Sequence, residues 1–265
     1  MRGSPAVNRT IPDFLARIVA HKRRLSDFRP AGRDQLERRA AAVQRRDFAA
    51  ALASPPPSII AEIKRASPSR GALAPMADAA STARAYARGG AAALSVLTEP
   101  EHFAGSLDDL ERARAATSLP VLRKDFTLDE YDIAEAAAHG ADAVLLIAAI
   151  LSARDLERLR QYAASFGMAA LVEVHDRDEL AAALDSGARI VGVNNRNLRT
   201  LQVQLETSLE LAPHIPAGVL KVSESGIRSA ADVRRLREAG FDAFLVGEHL
   251  MQASDPETAL RALRS

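Results

Sequence analysis

Apolar residues in this chain follow two alternating rhythms. Short continuous apolar runs occur at Ser58–Ile63, Gly90–Val96, Pro120–Arg123, Gly140–Leu146, Ala169–Val174, Gly187–Val193, Val219–Val222 and Gly240–Val246. They do not alternate apolar with polar, as expected of strands buried on both faces. Between them apolar side chains return every three or four positions, the stripe of an amphipathic helix. Start signals precede several of these stretches. Ser152 stands before Leu156 and Leu159, Asp176 and Glu179 form a capping-box pattern, Ser229 opens the helix of Val233 and Leu236, and Asp255-Pro256 opens the last one.

The punctuation repeats. Gly90, Gly140, Gly187 and Gly240 each close a helical run and open an apolar strand, at intervals of about 50 residues, or two strand–helix units. Glycine suits the left-handed position just past a helix end. Eight strand–helix alternations predict an α/β chain folded as a single (β/α)8 barrel. A doubly wound open sheet is the rival, but it usually has fewer strands and a Gly-rich first turn, and none follows Ile63. Residues 1–54 read as a helical extension and 55–265 as the barrel. Within the extension, Thr10 and Pro12 start a helix with Ile11, Phe14, Leu15, Ile18 and Val19 on one face, which must dock either beneath the barrel or over its mouth. Met1–Ser4 reads as an added leader, outside the fold.

Barrel chemistry sits at the carboxyl ends of the strands, where the loops converge. Those positions hold Glu62 and Lys64 on the first strand, Lys124-Asp125 on the third and Glu173 on the fifth. Asn194-Asn195-Arg196 ends the sixth, Ser223-Glu224-Ser225-Gly226 the seventh and Gly247-Glu248 the eighth. Period-two alternation puts Glu62 and Lys64 on one side of their strand, and a charge pair facing a barrel interior is costly unless paired or used. Glycines in the last two loops, Gly226 and Gly247, suit a phosphate grip. Ser67-Pro68-Ser69-Arg70-Gly71 reads as a mobile loop able to close over an anion. Phe103 and Phe126 are two of few aromatics and follow the second and third strands; with Leu145 and Leu198 they are placed to wall a flat ring.

Composition narrows the partners. At 265 residues, 48% hydrophobic, 26% charged and net +1, the chain shows no concentrated basic face, so no nucleic-acid partner is expected. The short basic clusters His21–Arg24 and Arg45–Arg46 read as solvated helix faces. The absence of cysteine excludes disulfides, thiolate catalysis and zinc–thiolate sites. No apolar stretch suits a bilayer, no signal segment is evident, and a monomer in a reducing cytosol is expected. His102, His139, His175 and His249 show no metal-ligand spacing and carry no assigned chemistry.

The run Ile60-Ala-Glu-Ile-Lys-Arg-Ala-Ser-Pro-Ser-Arg-Gly71 strongly resembles the first-strand signature of indole-3-glycerol-phosphate synthases, lyases of tryptophan biosynthesis. Matches continue in order through Ser95–Glu99, Leu122–Phe126, Leu171–Val174, Gly192–Leu198, Ser223–Ile227 and Leu245–Glu248 and cover essentially the whole chain.

The resemblance implies a reaction without cofactor or metal. In it 1-(2-carboxyphenylamino)-1-deoxyribulose 5-phosphate closes its ring and loses carbon dioxide and water. Carried over position by position, it implies Lys124 as general acid, Lys64 as the cation for the substrate carboxylate, and Glu173 as base. Glu62 and Asn194 would orient these groups, and Ser225 joins the polar rim. Ser67, Lys64, Gly226, Gly247 and the backbone of Glu248 would hold phosphate, while Phe103, Phe126, Leu145 and Leu198 enclose the anthranilate ring. Two positions depart from the family pattern: His249 stands where a small residue is common, and Arg70 replaces the more usual lysine. The alternatives are another phosphosugar barrel, such as phosphoribosylanthranilate isomerase, and a non-catalytic barrel that binds a phosphate ester.

Overall fold

The computed structural model describes residues 13–25, 32–55, 57–68 and 70–265. The leader, the helix start at Thr10 and Pro12 with Ile11, and Ser69 of the first loop lie outside the described residues. Eight parallel strands form a closed barrel: β1 Ser58–Ile63, β2 Ala93–Leu97, β3 Val121–Lys124, β4 Ala143–Ile147, β5 Ala169–Val174, β6 Ile190–Asn194, β7 Leu220–Glu224 and β8 Ala243–Val246. Each pairs with its neighbour in sequence, and β8 closes on β1, with Ser58 opposite Ala243 and Ala61 opposite Val246.

The continuous apolar runs divide by parity into two cores. Ile60, Leu122, Leu171, Ile190 and Val222 point inward and fill the barrel. Ile59, Ala61, Leu94, Val144, Val172, Val191 and Phe244 point outward into the layer beneath the helices. Fully burying a large aliphatic side chain contributes about 1.5–3 kcal/mol, so neither face tolerates a polar run.

Helices α4 Ala79–Gly89, α5 Pro100–Phe103, α6 Leu107–Ala116, α7 Glu130–Ala138, α8 Ala153–Ser165, α9 Arg177–Asp185, α10 Glu206–Leu211, α11 Ala230–Glu238, α12 Glu248–Met251 and α13 Pro256–Leu263 lie between or after the strands. Ser152, Ser229 and Asp255 cap the helices they precede. Gly90, Gly140, Gly187 and Gly240 have φ between 80° and 90°, as their position past helix ends requires. Only half of the expected box at α9 forms. Asp176 accepts the Glu179 N–H at 2.8 Å, but the Glu179 carboxylate accepts the N–H of His175, one residue earlier, at 2.8 Å. Among the described residues no helix is long and apolar enough to cross a membrane.

Among the described residues three helices precede β1: α1 Asp13–Leu25, α2 Arg33–Ala41 and α3 Phe48–Leu52. They serve both ends of the barrel. On α3, Phe48 and Leu52 join the interior core from below. On α1, Leu15 and Ile18 are buried against the same core, and Lys22 reaches Asp125 past the end of β3 at 2.6 Å.

The basic clusters differ from the solvated helix faces expected of them. Arg45 and Arg46 lie on the irregular stretch before α3. Arg45 donates to the carbonyls of Phe166, Ala141, Ala40 and Ala137, and Arg46 to those of Leu119 and Arg114. Leu119, Ala141 and Phe166 precede β3, β4 and β5, so the pair clamps the lower rim, where backbone carbonyls need donors. Lys22 is likewise ion-paired and largely buried, while Arg23 and Arg24 are exposed.

Candidate active site

The strand ends converge on one cavity in the barrel mouth. Every residue expected at the chemical centre lines it: Glu62, Lys64, Lys124, Glu173, Asn194 and Ser225. So do Ser67, Gly226, Gly247 and Glu248 of the expected phosphate region, and Phe103, Phe126, Leu145 and Leu198 of the expected ring pocket. Leu15 of α1 adds to the wall.

Lys124 ends β3 and projects inward between two carboxylates. Its Nζ donates to Glu224 Oε2 at 2.5 Å and to Glu173 Oε2 at 3.1 Å. Lys64 Nζ pairs with Glu62 Oε1 at 2.6 Å. Strand register explains the crowding. Asn194 lies opposite Glu224, and Gly192, which has no side chain, lies opposite Glu173, so the polar ends of β5, β6 and β7 gather around the space that this glycine leaves. Asn194 donates its amide to Glu173 Oε1 at 3.2 Å. A Cβ on Gly192 would overlap Glu224 Oε1, and one on Gly247 would overlap Glu62 Oε1. These two glycines are the space into which the carboxylates fit.

The electrostatics separate the two carboxyls that face Lys124. Burial pushes Glu224 up, against the pull of Lys124 and with the help of Glu173, to about 7. Burial also acts to raise Glu173, but the Lys124 ammonium, His175 and the Asn194 amide outweigh it and hold Glu173 well below the usual carboxylate range. Lys124 itself is opposed by burial yet held above its ordinary value by Glu224, Glu173 and Glu62. One mouth therefore holds a persistent ammonium, a persistent carboxylate and a carboxyl that titrates near neutrality, the separation expected where acid and base roles are assigned.

Glu224 is named at its strand end in the sequence reading but carries no role there. Its signal was available: it shares the inward parity of Val222 and ends its strand. His175 was also passed over. It is largely buried, with Nδ1 2.9 Å from Glu179 Oε2 and Nε2 3.3 Å from Glu173 Oε1. Burial disfavours its charge, but the two carboxylates beside it raise it to about 10.

Toward the rim, Arg196 and Arg228 line the cavity with Ser67 and Gly226. Glu248 presents its side chain as well as its backbone, accepting Arg70 Nε at 3.1 Å and facing Arg196 at 3.7 Å. The loop after β1 is a tight hairpin, Ala66-Ser67 pairing antiparallel with Gly71-Ala72, anchored where Arg65 grips Asp109 through two bonds of 2.5 and 2.6 Å. Ser225 has φ 68°, a strained value for a residue with a Cβ, costing about 1–3 kcal/mol. The Asn195 amide holds its carbonyl at 3.0 Å. On the apolar side, the Phe103 and Phe126 rings stand 6.4 Å apart, tilted by 43°. His249 lines the cavity beside Glu248.

Comparison with known proteins shows the family. A family model described as indole-3-glycerol phosphate synthase matches residues 15–263. The indole-3-glycerol phosphate synthase of Parafrankia sp. (strain EAN1pec) is 56% identical over 211 residues, 80% of this chain and 79% of that one. That of Burkholderia vietnamiensis (strain G4 / LMG 22486) is 49% identical over 254 residues, 94% and 97% of the two chains. Among solved structures, a 3-hexulose-6-phosphate synthase superposes with a TM-score of 0.63 at 18% identity, covering 78% of this chain and 98% of that one, a likeness of fold alone.

Proposed function

The chain belongs to the indole-3-glycerol phosphate synthase family, and on that footing we propose a division of labour among the groups of the barrel mouth. The reaction is a carbon–carbon lyase step of tryptophan biosynthesis. It takes 1-(2-carboxyphenylamino)-1-deoxyribulose 5-phosphate to indole-3-glycerol phosphate, carbon dioxide and water.

In the first step the ring carbon bearing the carboxylate attacks the ketone. A carbon–carbon bond forms, the carbonyl electron pair moves to oxygen, and that oxygen takes a proton from Lys124. The bond to the carboxyl group then breaks, carbon dioxide leaves, and its electrons restore the aromatic ring. In the last step the hydroxyl leaves as water with a second proton, from Lys64, while Glu173 removes the proton from the carbon beside nitrogen. Lys64 holds the substrate carboxylate beforehand. Glu62 and Asn194 orient Lys64 and Glu173, the groups they touch. Glu224, titrating near neutrality 2.5 Å from Lys124, is the immediate source from which the acid regains its proton.

Phosphate sits at the rim against Ser67, Lys64 and the backbones of Gly226, Gly247 and Glu248, with Arg196 adding charge. The ring lies among Phe103, Phe126, Leu145 and Leu198. A further part of the proposal is the division of the chain into an extension, 1–54, and a catalytic barrel, 55–265. So is a cytoplasmic monomer that needs no nucleic acid; among the described residues Met76 is the one large apolar side chain strongly exposed, which supports it.

The observation that carries these assignments is the position of Lys124 between a low carboxylate and a neutral-range one, within the cavity that Lys64 shares. The test uses the chain's lack of tryptophan. Purified protein given the carboxyphenylamino substrate should produce a new fluorescent indole against a dark background. Absence of that signal, with phosphate-ester binding retained, would favour the non-catalytic barrel.

A further inference from the structure

His175 directly follows β5, whose last inward residue is Glu173, and its ring approaches Oε1 of that carboxylate while Lys124 bonds Oε2. A carboxylate faces each ring nitrogen, Glu179 at Nδ1 and Glu173 at Nε2. Carboxylates only accept, so the ring faces both of them favourably only when it carries two protons; the Nδ1 side is a hydrogen bond and the Nε2 side a close charge contact without one. Glu179 is itself pinned, because its backbone N–H is held by Asp176 and its Oε2 takes the His175 N–H. The first turn of α9 thus fixes the imidazole.

We propose that His175 is a positioning residue: a fixed imidazolium that keeps Glu173 ionised after the cluster around Lys124 has given up a proton. This rests on Glu173 being the base of the dehydration step. The reasoning is a count of charges. At rest, Glu62, Glu173 and Glu224 face Lys64 and Lys124. Once Lys124 has given its proton to the ketone oxygen the cluster is short of one positive charge, whether the deficit sits on Lys124 or, after Glu224 has returned a proton, on a newly ionised Glu224. A buried carboxylate that loses its counter-charge takes up a proton, which would remove the base before it is needed. His175 prevents this, since its own charge is not consumed in the reaction. The 3.3 Å contact to Glu173 is a charge contact rather than a well-aligned hydrogen bond, so His175 supplies charge while Lys124 and Asn194 bond the two carboxylate oxygens. The charged groups facing His175 come from β5 and α9, namely Glu173 and Glu179. Glu173 is faced in addition by Lys124 of β3 and the neutral Asn194 of β6. With its main cause of ionisation thus split between Lys124 and His175, the ring held near pKa 10 supports the same reading.

The experiment is a single turnover in which carbon dioxide release and indole fluorescence are followed together, at several pH values, for the parent chain, His175→Gln and Glu179→Gln. Glutamine keeps a donor at position 175 without the charge. In His175→Gln, indole should lag behind carbon dioxide by about tenfold at mildly acidic pH, the loss expected if Glu173, without either counter-charge, titrates about one unit above that pH, and the lag should shorten as pH rises. Glu179→Gln should show the same lag, smaller, with substrate KM little changed in both. A merely structural role would slow both signals alike at every pH. If indole keeps pace with carbon dioxide in both folded variants across the range, the proposal is wrong. Glu173→Gln separates the two readings: if it retains turnover, the base is misassigned, whereas if it accumulates the decarboxylated intermediate while His175→Gln does not, only the role of His175 fails.

Discussion

Lys124 Nζ and Glu224 Oε2 lie 2.5 Å apart at the ends of β3 and β7, strands on different sides of the barrel. The contact exists only because both side chains point inward at the same height. It joins a persistent ammonium to a carboxyl that titrates near neutrality, so a proton lost by one is replaceable from the other without bulk water entering.

Removing the ammonium is the most direct test. Lys124→Ala should lower kcat by about 100-fold or more, the usual worth of a positioned general acid, while affinity for the phosphorylated product changes little. Near-normal turnover in this variant, measured by indole fluorescence, would mean that another group protonates the ketone.

Glu224 makes a pH-dependent contribution to stability of predictable sign. Its folded pKa of about 7 lies above the ordinary carboxylate value near about 4.3. The folded state therefore binds the extra proton, and the stability this confers is present below the lower value and lost as pH rises through the upper one. Glu224→Gln removes that loss. Its stability relative to the parent should improve by on the order of 1–3 kcal/mol between mildly acidic and mildly alkaline pH, measured by urea denaturation at each pH. Parallel curves for the two proteins would contradict the raised value.

Gly192 is space for Glu224. Gly192→Ala should displace that carboxylate, cost about 1–3 kcal/mol through overpacking, and lower kcat by about tenfold while leaving phosphate affinity intact. A variant as active as the parent would show that the exact seat of Glu224 is immaterial.

The lower rim offers a stability test remote from chemistry. Arg45 donates to four backbone carbonyls. Arg45→Ala should cost about 2–4 kcal/mol, because buried carbonyls lose a charged donor, with kcat unchanged within about twofold. Denaturant titration alongside turnover distinguishes this from an effect on the site.

Much of this was legible in the chain itself, for identifiable reasons. Strands buried on both faces leave unbroken apolar runs, and a left-handed residue past a helix end demands glycine, so Ser58–Ile63 and Gly90 announce their structures locally. Residues at strand ends are likewise placed by topology, which is why Lys64, Lys124 and Glu173 share one cavity. What stayed hidden depends on partners distant in sequence. Glu224 is an ordinary strand-end carboxylate until Lys124, 100 residues earlier, is set beside it. His175 is an isolated histidine until Glu179 turns from the expected capping box to meet it. Arg45 and Arg46 carry the same charge pattern as a solvated helix face, and only the carbonyls of the barrel floor distinguish the two. The hairpin after β1 was open to a looser reading because the grip of Arg65 on Asp109 spans 44 positions.

The pairing of β1 with β8 has a consequence for how activity is acquired. Its last rung, Ala61 against Val246, lies one residue before both Glu62 and Gly247, so the cation wall and the anion cradle meet across the join between the first and final strands. A nascent chain stays inert until that join forms, however complete the other staves are. Such a long-range closure is intrinsically slow. Recovery of turnover after dilution from denaturant would therefore time the completion of the circle, trailing the return of helical signal.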